Sequence, residues 1–378
     1  MARNSMELLE KIWQEGKAFL GVEYPIMCGG MTWISDHKLA KAISDSGAFP
    51  VIAAGNMPAD ELEYEIAECE KTLKSPFAVN LITIAPNYRV HCNVALRKKV
   101  KYVIFAGSFP SRHDVQQMKK AGKKTLSFAS TKSIAQRQID YGVDALILEG
   151  SEAGGHIGYV SLIILLQQVL FDFRDFPIFV AGGLADGRLM AYLLLMGAYG
   201  CQFGSLFVAS EECNAHSRFK EAFIKARARE AMATPQYDSR LPVVAVRAIK
   251  NRATDEFGKL QFKLLQQLEK GNITRDEAQY EVEKFWVGSL RKAVVEGDVD
   301  FGSLMAGQSI GLINEIKPIK EIINRLIQDA ETELHRLHSL FKHLWHNCIA
   351  FNNTIAKLFS PMIMANDTLQ RATAQVYL

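Results

Sequence analysis

The chain lacks several features that would each have fixed a function class. No apolar run approaches the ~18 residues of a membrane helix; the densest, Leu162–Leu170 and Tyr192–Met196, read as packed helices. Neither sign of charge dominates. Lys+Arg 44 against Asp+Glu 41 leaves +3, which argues against a dedicated nucleic-acid binder. The first twenty residues carry Arg3, Glu7, Glu10, Lys11 and Glu15, so they are no secretory signal. The six cysteines (28, 69, 92, 201, 213 and 348) are scattered with no Cys-x-x-Cys. That excludes a zinc ribbon or iron–sulfur run and points to a reducing, cytoplasmic compartment. No Gly-x-Gly-x-x-Gly occurs, so a Rossmann nicotinamide site is unsupported. The run from Gly302 to Ser309 resembles a P-loop, but Gln308 stands where the phosphate-reaching Lys is needed. His335, His338, His343 and His346 lack carboxylate or thiol partners at ligand spacing; they read as a polar helical face rather than a metal site.

What is present is ordinary globular material. The 378 residues are 48% apolar and 22% charged, with a mean hydropathy of −0.00. This is no disordered chain. The length allows two or three domains, or one large barrel with an appendage.

From Tyr24 to Ser205, short apolar runs alternate with amphipathic ones. The strand candidates are Tyr24–Gly29, Phe49–Ala54, Phe77–Ile82, Tyr102–Ala106, Thr125–Ala129, Ala145–Glu149, Ile178–Ala181 and Gly200–Gly204. Helical patterns cover Asp36–Ser46, Pro58–Leu73, Asn87–Lys98, Ser111–Ala121, Thr131–Tyr141, Ser161–Phe171 and Asp186–Met196. Continuous apolar strands alternating with helices mean a parallel sheet buried on both faces. Such units close most simply into a (β/α)8 TIM barrel; an open doubly wound sheet is the rival.

The period changes after Ser210. Residues 214–232 read as a basic helix and 233–256 as a loop with Pro235 and Pro242. Residues 257–296 read as two helices split near Gly271–Asn272, with Thr274 as N-cap of the second. The expected organisation is an N-terminal helix over 1–22, a barrel over 23–232 and a helical excursion covering its mouth over 233–296. A return loop and last helix over 297–340 would complete the barrel domain. Residues 341–378 are apolar and aromatic without a clean period, and their role stays open.

Two segments carry the chemistry. Glu149-Gly-Ser-Glu-Ala-Gly-Gly-His156-Ile-Gly158 follows the sixth strand. Its glycines let backbone approach a ligand, and His156 suits general acid–base work near neutral pH. The bland alternative is a tight turn whose His caps a helix. Ala181-Gly182-Gly183 and Gln202-Phe-Gly204-Ser205 end strands seven and eight. Barrels often bind phosphate there, on glycine amides and a hydroxyl. The basic cluster Arg247, Lys250 and Arg252 lies near the mouth and could meet an acidic carrier. Cys28, on strand one, reads as a buried structural thiol.

Pro25-Ile26, Gly29-Gly30-Met31-Thr32-Trp33, the Glu152–Gly158 loop, Ala181-Gly182-Gly183 and Gln202-x-Gly204-Ser205 together resemble the nitronate monooxygenase/2-nitropropane dioxygenase superfamily. Asn214-Ala-His216, Ala245-Val-Arg247-Ala-Ile-Lys250-Asn251 and the run from Ala293 to Gln308 extend the resemblance to its flavoprotein enoyl-acyl carrier protein reductase II branch. The likeness spans about residues 20–330. It implies an FMN-dependent barrel oxidoreductase. In it, Gly30, Met31 and Thr32 would lie against the flavin, and Asn80, Glu149 and Gly154 would contact it. Gly182, Gly183, Gln202, Gly204 and Ser205 would hold its phosphate side, and His156 would be catalytic. The monooxygenase branch usually has Gln where this chain has Glu149, which favours the reductase. Ser205 replaces the usual Thr and keeps the hydroxyl.

The resulting expectation is NAD(P)H-driven reduction of trans-2-enoyl thioesters on acyl carrier protein, the last reduction of fatty-acid elongation. Arg247 and Lys250 would face the phosphopantetheine or the acidic carrier. The alternative is oxidation of alkyl nitronates with FMN and O2. The partner would be acyl carrier protein or a small-molecule substrate. The oligomeric state is open, a homodimer included.

Overall fold

In a computed structural model, residues 7–55, 57–241 and 245–342 are described. Eight parallel strands form one sheet: Ile26–Cys28, Val51–Ala53, Ala78–Ile82, Tyr102–Ala106, Lys124–Ala129, Ala145–Glu149, Ile178–Ala181 and Gly200–Phe203. From the second strand on, each pairs with the next in the chain, and the first pairs with the last in the register Met27 to Gln202. A parallel bridge between Met27 and Phe49 closes the remaining gap. The sheet is therefore a barrel, not the open rival.

The strand residues divide by parity, as a pleated sheet requires. Phe49, Tyr102, Ile104, Ile147 and Phe179 fill the barrel interior. Val79, Val103, Phe105 and Leu148 face the surrounding helices. The lower end is plugged. Phe19, from the helix Gln14–Leu20, packs 5.6 Å from the Phe179 ring and 6.2 Å from Tyr102. Tyr102 Oη and Lys124 Nζ both donate to the Phe19 carbonyl, at 2.5 and 3.1 Å. With that end shut, ligand space lies at the strands' C-terminal ends, where barrel sites are built.

The helices start where the side chains dictate. Asp36 accepts from the amides of Lys38 and Leu39, Ser111 forms a capping box with Asp114, and Thr131 accepts from Ile134. Among the described residues before Gly21 there are two short helices, Glu7–Ile12 and Gln14–Leu20, rather than one. The pattern over Ser161–Phe171 becomes an α-turn, Leu162–Leu165, followed by a π-turn, Leu166–Leu170.

Beyond strand eight the structure departs from the sequence expectation in two places. The basic helix stops at Lys225 and gives way to a strand, Ala231–Ala233. The supposed loop 233–256 contains a second strand, Val246–Ile249, antiparallel to the first. Short hydrophobic pieces such as these carry little period of their own, and pairing decides their state. Two helices follow, Arg252–Glu269 and Arg275–Val294, the second capped by Thr274 and Glu277. Phe257, Leu264, Val282 and Trp286 give them a small core of their own. Asn251 caps the first helix and donates from Nδ2 to the carbonyls of Val299 and Gly302, at 2.8 and 2.7 Å. A last helix spans 319–342; the tail from 343 onward lies outside the described residues.

Candidate active site

A cavity of about 580 Å³ opens at the C-terminal ends of the strands, within the range of small-molecule and cofactor sites. The residues expected from the sequence all line it, from four sides. After strand one, Ser35 Oγ donates to the Gly29 carbonyl at 2.7 Å and accepts from Met31 N at 3.0 Å, so Gly30, Met31 and Thr32 form a tight turn at the rim. Gly30 lies directly on Asn80. A methyl at Gly30 would sit 2.5 Å from Asn80 Cβ. Asn80 cannot retreat by moving its backbone, because strand three is paired to Ala53 on one side and Ile104 on the other.

Strands six and eight bring Glu149 and Gln202 to the same space. Burial pushes the Glu149 carboxyl up from 4.5 to about 8, so it carries its proton at neutral pH. Gln202 Oε1 is fully buried with no hydrogen-bond partner among the described residues. Gly182 and Gly183, after strand seven, have φ of 89° and 73°, the left-handed region that only glycine enters cheaply. Ser205 Oγ accepts from Gly307 N at 3.0 Å, which ties the return loop to the end of strand eight.

The glycine loop is held by the excursion. Gly155–His156 is a two-residue strand paired with Val246–Ile249, His156 opposite Val246. Ile157 N donates to the Ala245 carbonyl at 2.9 Å. Gly154 has no room for a side chain: a methyl there would meet the Ala306–Gly307 backbone at 2.6 Å. His156 Nε2 lies 3.2 Å from Glu283 Oε2, contributed by the second excursion helix. Burial alone would lower the imidazole pKa, but the charge and hydrogen bond of Glu283 outweigh it and the net shift is upward. Nothing in the sequence marked Glu283, which stands 127 residues from its partner.

These observations test the fit of a flavin. Asn80, Glu149 and Gln202 bring polar side chains to one cavity, and no hydrogen bond from them to the described residues is seen. Buried polar groups need partners, so a purely apolar ligand would leave these unsatisfied. A ring with donors and acceptors along its edge meets them. The Gly182–Gly183 turn and Ser205 supply amides and a hydroxyl on the adjacent wall.

Residues 14–89 and 82–329 match the family profile described as nitronate monooxygenase. The chain belongs to the nitronate monooxygenase family. It is 34% identical to FabK from Thermotoga maritima, with a TM-score of 0.76, covering 86% of this chain and 98% of that one. A probable nitronate monooxygenase of Staphylococcus aureus is 26% identical over 84% of this chain and 97% of its own length. A (3aS,4S,5R,7aS)-5-hydroxy-7a-methyl-1-oxo-octahydro-1H-indene-4-carboxyl-CoA dehydrogenase of Mycobacterium tuberculosis is also 26% identical, over 85% and 97% respectively. As a member of the nitronate monooxygenase family the chain is an oxidoreductase.

One sequence expectation at this family's site needs correction. Arg247 does not face the mouth. It is 8% exposed, and its guanidinium donates to the Ser151 carbonyl at 3.0 Å and the Ala231 carbonyl at 2.6 Å. Its strand's alternation turns it inward, where it braces the glycine loop; Lys250 is the exposed one. Two of the segments that carry the family resemblance meet in the fold. Gly297, with φ of 72°, lies against the His216 imidazole, and His216 Nδ1 caps the helix Ser217–Lys225. Cys28 is buried, its thiol pushed up to about 12 by desolvation. Among the described residues, no three His, Cys, Asp or Glu side chains converge as a metal site.

Proposed function

We propose that this chain reduces trans-2-enoyl thioesters, presented by acyl carrier protein, with NAD(P)H as electron source and FMN as carrier. The observation that carries the reading is the shape of the cavity beside His156. Its wall over strands three to five carries Ile82, Phe109, Phe128 and Ile134 beside the shorter Ser108, Ser130 and Thr131, and Leu290 and Met305 face it from the excursion side. A nitronate of a few atoms has no use for such a wall; an acyl chain does. The near end-to-end match to FabK and the carboxyl-CoA thioester in the printed name of the mycobacterial relative support it.

FMN, when bound, supplies the two-electron carrier between nicotinamide and substrate. Asn80 and Glu149 would hold its ring edge, joined by Gln202, which the resemblance puts on the phosphate side but which stands in register with Glu149 through Ala181; Gly30, Met31 and Thr32 would flank it, and Gly154 would let the backbone approach. Gly182, Gly183, Gly204 and Ser205 would hold its phosphate. Glu149, protonated, acts as a donor there rather than an anion. His156 donates a proton toward the thioester carbonyl and stabilises the negative charge that develops on it. Leu290 and Met305 exclude water from the reacting carbons. The free, buried thiols accord with work in the reducing cytoplasm.

The test is anaerobic stopped-flow. NADH-reduced protein is reoxidised by crotonyl or octenoyl thioester; if it is not, this reading is wrong. A second reading, nitronate oxidation, is favoured by one observation: the imidazolium that Glu283 promotes suits an anionic substrate. Oxygen uptake with propionate-3-nitronate in the absence of NADH separates the two.

A further inference from the structure

Glu283 is 6% exposed, and its hydrogen bond is to His156. It lies among Val282, Trp286 and Leu290, on the face the second excursion helix turns inward. A buried carboxylate without a partner is costly, and the apolar core of the excursion offers it none. Its position has no packing rationale other than the imidazole it meets.

The charged groups around His156 narrow the assignment. Arg247, on the paired strand, is committed to the Ser151 and Ala231 carbonyls. Glu152, on the same loop, accepts from Leu162 N at 3.0 Å. Glu149, which lines the same cavity, is neutral up to about 8. Glu283 is the carboxylate in direct contact with the ring. A carboxylate only accepts, so Nε2 carries the hydrogen of this bond. Nδ1 makes no hydrogen bond to the described residues, and the ring lines the cavity.

We propose that Glu283 is the positioning residue of the site: it anchors His156 through Nε2–H and supplies the counter-charge of the imidazolium, leaving Nδ1 for the substrate. When Nδ1–H passes its proton to the substrate, the ring becomes neutral and keeps Nε2–H on Glu283. The imidazole does not turn over between cycles, and a proton from solvent restores it. The consequence for turnover rests on the reading of His156 as proton donor; the pairing does not.

The experiment follows the His156 imidazole by NMR in the full chain as purified, labelled at histidine, with His156→Asn identifying the resonance. Glu283→Gln keeps the shape and removes the charge. Its His156 midpoint falls by about one pH unit or more, the effect of losing a contacting opposite charge. Glu283→Asp, which keeps the charge on a shorter arm, lies between. In turnover, the alkaline limb of kcat/KM moves down by the same interval in Glu283→Gln, while KM changes less than kcat at pH 8. If Glu283→Gln titrates like the unaltered protein, the proposal is overturned. If the midpoint falls but neither thioester nor nitronate turnover follows it, the pairing stands and His156 is not the proton donor.

Discussion

Gly30→Ala gives the sharpest check on the cavity's geometry. The added methyl would lie 2.5 Å from Asn80 Cβ and Cγ, against an ordinary carbon–carbon contact of ~3.5–4.0 Å. About 1 Å of movement is therefore needed. Asn80 is 3% exposed and its backbone is fixed in the sheet on both sides. Truncating Asn80 to Ala would not help, since its Cβ is itself in the clash. Overpacking of this kind costs about 1–3 kcal/mol, divided between stability and displacement of the Asn80 amide from the cavity. An equal division leaves about 0.5–1.5 kcal/mol on binding, and about 1.4 kcal/mol is tenfold in Kd, so FMN affinity falls about two- to tenfold. The assay strips the flavin and titrates it back by quenching of its fluorescence, with urea unfolding run in parallel. Gly288→Ala is the control: beyond its own helical turn and chain neighbours, no described atom stands within 4 Å of its methyl, in the interior of a helix. That change stabilises by about 0.5–1 kcal/mol. If Gly30→Ala holds FMN and resists urea like the unaltered chain, the close approach of strands one and three is wrong.

Other substitutions separate chemistry from support. His156→Ala retains flavin and loses about 10²-fold or more in turnover, read by single-turnover reoxidation. Arg247→Met removes two buried hydrogen bonds from a charged donor and destabilises by about 2–4 kcal/mol; Lys250→Met, exposed, leaves the urea midpoint unchanged. Glu149→Gln tests the raised carboxyl. Above pH 4.5 the unfolded chain ionises Glu149 while the flavin-free folded chain holds its proton up to about 8, so folded stability falls as pH rises across that window. The Gln variant lacks this loss, and the two stability curves diverge from pH 5 to 8; parallel curves would show Glu149 ionised in the folded state.

The barrel was legible because its signal is local. Each strand is a short apolar run, most of them ended or followed by Gly, Glu or Ser, and four of the barrel helices carry side-chain caps, from Asp36, Ser111, Thr131 and Asp186. The same holds for the glycine turns, where positive φ at Gly182 and Gly183 leaves a residue-type mark. What could not be read was pairing between distant segments. Val246–Ile249 has no period to distinguish it from loop until Gly155–His156 and Ala231–Ala233 flank it. Arg247 looks like surface charge until that sheet fixes which way it points. Glu283 is one acid among several on a charged helix, and only its placement opposite His156 sets it apart.

The excursion is more than a cover. Ties between it, the return loop and the His156 loop include the strand pairing at His156, Arg247 on the Ser151 carbonyl, Glu283 on the imidazole, and Gln308 N on the Glu152 carbonyl at 2.9 Å. Gly154 and Gly307 are bare so that two of these backbones can touch. The barrel supplies the cavity, but the loop that bears His156 has two of its ring and backbone positions set from outside the barrel. A flexible glycine-rich loop left to itself would sample many conformations, and catalysis demands one. Residues remote from the cavity's strand ends therefore decide the geometry of the His156 imidazole. Changes of substrate within this scaffold can then arise from the excursion, with the barrel's strand ends unaltered.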